Sequence, residues 1–102
     1  MGEAKLSLHD LIVEIHALDR KLQTLEEKYS LLSEDFYQLY EAGRFRDDEL
    51  EEIDELGRWA AWWRMRTRRV TQYEAMKNAF FAQTAHSTGI ALKPYSGLRE
   101  VA

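Results

Sequence analysis

The chain has 102 residues, which is enough for one hydrophobic core and excludes a large multi-domain enzyme. Hydrophobic residues make up 45% of the sequence and charged residues 31%, with one proline, a balance typical of a folded helical protein. Cysteine is absent, so disulfides, thiolate metal sites and cysteine nucleophiles are excluded. With neither a secretory leader nor an apolar stretch of about 20 residues, the sequence predicts a cytoplasmic protein.

The charge is divided between the two halves of the chain. Residues 1–57 carry 16 acidic and 6 basic side chains, whereas residues 58–102 carry 2 acidic and 8 basic ones. The total charge of −4 therefore combines a half of −10 with a half of +6. We expect the halves to pair with each other, within one chain or across a dimer. General affinity for phosphate backbones is disfavoured.

A first long helix is predicted by apolar residues that recur in alternating steps of three and four. This spacing keeps one apolar stripe on one side of a helix, and the stripe needs a partner to bury it. The predicted seam consists of Leu8, Leu11, Ile15, Leu18, Leu22, Leu25, Tyr29 and Leu32.

A short second helix is predicted over Ser33 to Ala42. The Ser33 hydroxyl is expected to cap its first turn, and Gly43 stands where a left-handed residue would end it.

A long third helix is predicted to begin at Asp47 or Asp48 and to continue to about Gln83. Ile53, Leu56 and Trp63 lie on its apolar stripe, at helical spacing.

The segment after Ala85 loses helical periodicity and gains glycine and proline, so we expect an extended tail. The sequence thus predicts an all-α helical hairpin domain over residues 1–85, ordered long, short, long, and a tail over residues 86–102. Two apolar stripes exceed what a single hairpin covers, so we expect a homodimer with a four-helix type of core. Four apolar tail residues are candidates for binding a partner: Ile90, Leu92, Tyr95 and Leu98.

The stretch from Arg58 to Arg69 combines three tryptophans with five arginines. Structural packing with ion pairing is the favoured interpretation, followed by contact with a partner protein. A nucleic-acid-binding regulator is an open alternative, because guanidinium groups bind phosphate and indole rings stack on bases. The candidate binding residues here are Trp62, Arg64, Arg66, Arg68 and Arg69.

The acidic run that opens the third helix places Glu51, Glu52 and Glu55 at spacings that hold magnesium in helical nucleotide hydrolases. A second acidic helix is missing from the chain, so such a site would need completion across a dimer. A solvated helix face is the simpler interpretation.

No set of catalytic residues is recognisable, and we expect no enzyme activity, cofactor or metal.

Residues of roughly positions 11–75 resemble small bacterial and archaeal helical proteins regarded as antitoxin-like. The similarity comprises Tyr29 at the end of the first helix, Ser33 to Phe36 at the start of the second, Gly43, and then acids followed by Trp59. Ser30 stands where glycine is usual. The resemblance implies a non-enzymatic protein that binds and neutralises a partner protein, such as a cognate toxin.

Overall fold

We analysed a computed structural model of the protein, which describes residues 6–46, 50–84 and 89–95. Three helices are present in these ranges: α1 over Leu8–Tyr29, α2 over Ser33–Glu41 and α3 over Leu50–Gln83. Residues 89–95 have no regular secondary structure, and no strand occurs in the described ranges. The predicted all-α order of long, short and long helix is therefore confirmed. None of the described helices is both long and apolar enough to cross a membrane.

A capping box starts α1. The Ser7 hydroxyl accepts a hydrogen bond from the Asp10 backbone N–H at 3.0 Å, and the Asp10 carboxylate accepts one from the Ser7 N–H at 3.2 Å. The two bonds satisfy amide groups that the first helical turn leaves without partners.

A left-handed residue ends α1. Ser30 has φ of 55°, a conformation that glycine adopts with less strain, and the chain turns away there. The expectation that Leu32 extends the seam is therefore corrected: Leu32 lies beyond the turn and is 64% exposed.

The start of α2 differs from the prediction. Leu32 occupies the N-cap position and provides no side-chain hydrogen bond, so Ser33 is not the cap. The Ser33 hydroxyl instead accepts a hydrogen bond from the Trp59 indole N–H at 2.8 Å. The helix ends at Glu41, one residue before the predicted end, and Gly43 follows with φ of 68° in the predicted left-handed conformation.

The core lies between α1 and α3, and α2 covers one end of it. Four seam residues of α1 are buried, whereas Leu8, Ile15 and Tyr29 are half-buried. On α3, Leu56 and Trp63 are half-buried, and Ile53 is 36% exposed at the edge of the apolar stripe. The buried seam residues are Leu11, Leu18, Leu22 and Leu25.

The two long helices run antiparallel. Glu55 on α3 is bonded to Lys28 near the end of α1, and Arg69 to Glu14 near its start. Continuing this register places the start of α1 opposite Ala75 or Met76. The last two turns of α3 therefore extend past the start of α1. The predicted caps of α3, Asp47 and Asp48, lie outside the described residues.

Candidate interaction surfaces

Aromatic rings form the centre of the molecule where the three helices meet. Phe36 and Trp59 are 0% and 1% exposed, and their rings stack with centroids 3.8 Å apart and planes 2° apart. Tyr29 and Phe45 stack against this pair from two sides. The helical stripe drawn from the sequence placed Trp63 at the core. The structure buries Ala60 of that stripe together with Trp59, which the stripe did not include, and places Trp63 at the margin.

Glu55 is the centre of a polar cluster beside this core. It accepts hydrogen bonds from the Lys28 ammonium, at 2.8 Å, and from the Tyr29 hydroxyl. The bond from Lys28 is the main cause that lowers the pKa of Glu55, and the bond to Glu55 raises the pKa of Tyr29.

This cluster bears on the metal hypothesis. Glu55 is already bonded to two side chains of α1, and the described residues contain no group of three acidic or histidine side chains that could hold a metal ion. The side chain of Glu51 lies outside the described part of the chain.

Three of the four candidate arginines contact other helices. Arg66 pairs with Asp19 of α1, Arg69 pairs with Glu14, and Arg64 lies 3.6 Å from Glu41 of α2. Arg64 also donates to the Tyr37 hydroxyl at 3.2 Å. Arginines that face acids within the fold do not form an open basic stripe, and this removes much of the surface that nucleic acid would need. The remaining candidate, Arg68, is exposed.

The tryptophans of this stretch also contact cations. The Arg66 guanidinium lies over Trp63, 5.7 Å from its ring centre, and the Lys21 ammonium lies 5.6 Å from that of Trp62. Both indoles are half-buried. Trp62 is thus part of the contact between α1 and α3 rather than a free stacking platform.

Large apolar side chains remain exposed at the far end of α3. Met76, Phe80 and Phe81 are 38%, 39% and 46% exposed, and the two phenylalanine rings are 5.8 Å apart. Met76 and Phe80 are four residues apart and lie on one face of the helix. We call these three residues the distal apolar surface; the helical periodicity of the sequence places Phe80 on the apolar stripe and Met76 on or near it, and does not include Phe81.

The tail contributes further apolar side chains and one contact to α1. Ile90 and Leu92 are 46% and 91% exposed. Tyr95, which is 52% exposed, stacks on His9 with ring centroids 3.7 Å apart and planes 4° apart. The tail therefore returns to the start of α1. Leu98, the fourth tail candidate, lies outside the described residues.

Comparisons with known proteins identify no relative of this chain. The chain matches no known protein family, and neither curated proteins nor solved structures show significant similarity to it.

Proposed function

We propose that the protein is a non-enzymatic helical interaction module of the cytoplasm, antitoxin-like, which pairs with a second copy of itself and binds a partner protein. The distal apolar surface is the single observation that carries this proposal. Exposed apolar side chains grouped on one surface are typical of protein contacts, whereas scattered ones are not. In the register set by Glu55 and Arg69, no part of α1 lies opposite the last turns of α3.

A second copy of the chain fits this surface because the surface carries no net charge. The charged residues of α3 nearest to it, Glu74 and Lys77, form an ion pair 2.7 Å long. Lys77 also lies over the Tyr73 ring, 5.7 Å from its centre. Two copies of the distal apolar surface would therefore meet without repulsion between like charges, as a symmetric interface requires.

The opposite end of the molecule suggests the chemistry of the partner protein. Four acidic residues are exposed around the three-helix end and form no ion pair with another described residue: Glu27, Glu34, Asp35 and Asp54. Arg44 and Arg58 are also exposed at this end, so the four acids exceed these two bases. An excess of negative charge favours a partner with a basic surface and accelerates its association at low salt. The resemblance to antitoxin-like proteins implies a partner protein, such as a cognate toxin, and does not specify its charge.

The dimer is tested by replacing Phe80 and Phe81 together with glutamate. We expect the unchanged protein to sediment as a dimer and the Phe80→Glu/Phe81→Glu variant as a monomer, because four carboxylates would be buried in the interface. Circular dichroism should show that the helices are retained. Ile12→Glu/Val13→Glu is the matched control, because these two apolar residues of α1 are 37% and 50% exposed. This control should remain dimeric.

Two outcomes would contradict the proposed dimer. One is a monomer at every concentration for the unchanged protein, and the other is a dimer that survives both glutamates. Leu18→Asp is less suitable as a test, since Leu18 is buried within one chain and the substitution would unfold the hairpin itself.

A further inference from the structure

An open pocket of about 430 Å³ lies where the three helices meet, beside the connection between α2 and α3. Its lining includes the rings of Tyr29, Phe36, Phe45 and Trp59. Pockets that take small ligands have volumes of roughly 300–1,000 Å³ and mainly apolar walls. The volume and the rings therefore suit a compact ligand with a flat, apolar body.

The polar groups of these aromatic walls already have partners inside the protein. The Trp59 indole N–H donates to Ser33, and the Tyr29 hydroxyl donates to Glu55. Neither group is available to a ligand without breaking an existing bond. Selectivity for a polar group must therefore come from the charged side chains that also line the pocket.

Two arginines, Arg44 and Arg46, line the pocket, and Arg46 is already engaged in another interaction. We therefore assign this selectivity to Arg44. It lines the pocket, is exposed, and forms no ion pair with another described residue. Its own backbone is fixed, since the Arg44 N–H donates to the Leu39 carbonyl at 3.0 Å and the preceding Gly43 is left-handed. A guanidinium group on a fixed backbone is suited to a carboxylate, which it binds through two hydrogen bonds.

We propose that this pocket binds a small aromatic carboxylate, with its ring against the half-buried rings of Tyr29 and Phe45 and its carboxylate on Arg44. Phe36 and Trp59 are almost completely buried and form the layer behind them. Glu52 also lines the pocket, and it weakens the attraction of an anion to Arg44. The site is independent of the proposed dimer, because the distal apolar surface lies at the other end of α3.

The test uses naphthylacetate, and its neutral analogue naphthylacetamide, as probes of the full-length protein. Isothermal titration calorimetry measures affinity, and the indole N–H signal of Trp59 in NMR spectra reports where the probe binds. We expect the carboxylate to bind roughly tenfold more tightly than the amide, because only the carboxylate forms a charge-assisted hydrogen bond with Arg44. The preference is limited to about this size because solvent screens the exposed guanidinium group. The Trp59 signal should shift on binding.

Substitutions then separate the contributions of charge and shape. Arg44→Gln should remove the preference for the carboxylate and leave amide binding unchanged, whereas Glu52→Gln should strengthen carboxylate binding. Phe45→Ala should weaken both probes. Arg68→Gln is the matched control, because Arg68 is an exposed arginine outside the pocket lining, and it should change neither affinity.

Three results would overturn the proposal. They are no binding of either probe, equal affinity for the acid and the amide in the unchanged protein, and equal loss of carboxylate binding in Arg44→Gln and Arg68→Gln. The affinities of the two probes should not depend on whether the protein forms a dimer. The pocket proposal and the dimer proposal can therefore be refuted independently.

Discussion

The two ends of the long helix pair differ in how they are held together. At the three-helix end, Phe36 and Trp59 are almost completely buried and stacked on each other. At the far end, the contacts between α1 and α3 include the ion pair of Arg69 with Glu14, and Phe80 remains exposed. Both ends carry apolar residues at helical spacing, so spacing alone does not decide burial. Leu11 is 1% exposed at the far end as well, so a third helix is needed to bury the flanks of the stripe and not its centre.

The physical reason is the narrow stripe that two helices share. A pair of helices buries the residues that face each other and leaves their flanks in contact with water. At the three-helix end, α2 covers one such flank with Phe36, and the Ser33 hydroxyl satisfies the indole N–H that would otherwise be buried without a partner. Without a third helix at the far end, charged side chains on the flanks reach across instead.

The largest expected effect is that of Trp59→Ala. Removing a fully buried indole leaves a cavity and also leaves the Ser33 hydroxyl without its donor, so we expect a loss of about 3–5 kcal/mol in the free energy of unfolding. Urea denaturation followed by circular dichroism measures it. Trp62→Ala is the comparison, because Trp62 is half-buried, and it should cost clearly less. Equal losses would contradict the central position assigned to Trp59 in this core.

A smaller effect is expected for the ion pair between Arg66 and Asp19. Their side chains are 30% and 32% exposed, so water and salt screen the attraction. A double-mutant cycle with Arg66→Gln and Asp19→Asn should give a coupling of about 0.2–1 kcal/mol that decreases at high salt. Arg68→Gln, the control, should leave stability unchanged. A coupling that does not depend on salt would contradict this account of the ion pair.

The smallest expected effect is the loss of folding stability at acid pH. Hydrogen bonds from Lys28, above all, lower the pKa of Glu55, and those from Ser7 lower that of Asp10. A lowered pKa means that the unfolded chain takes up the proton first, so the stabilisation is complete above the ordinary carboxylate pKa of about 4. It is lost as the pH falls through the lowered value of the folded protein.

Glu55→Gln tests this dependence. The urea concentration at the unfolding midpoint of the unchanged protein should decrease as the pH is lowered from about 5 to about 3. This decrease should be smaller in Glu55→Gln. Glu27→Gln is the matched control, since Glu27 is exposed and forms no ion pair with another described residue. Identical pH profiles for the unchanged protein and Glu55→Gln would refute the role assigned to Glu55.

Much of the fold could be predicted from the sequence because its signals are local. The steps of three and four from Leu8 onward predict α1, and Gly43 marks the end of α2. The rotation of α3 about its own axis could not be predicted from local signals. It depends on which residues α1 and α2 present, and for this reason the stripe through Trp63 missed Trp59 as the central residue.

The candidate surfaces were less accessible to sequence analysis. The division of charge correctly indicated that basic residues face acidic ones, but the partners of Arg66 and Arg69 are 47 and 55 residues away in the chain. Periodicity does not reveal such distant pairs. The aromatic pocket was missed altogether, since it joins residues of all three helices and of the connection between α2 and α3.

The overhang of α3 beyond α1 has a consequence for local opening. A helix end with few neighbours frays without disturbing the rest of the molecule, whereas amides beside Trp59 exchange their hydrogens only when the whole fold opens. Isotope exchange should therefore divide one unbroken helix into a slow segment and a fast segment, with the boundary near Met76. Any molecule that covers the fast segment would slow it, so the exchange rates provide a reporter of binding that needs no label.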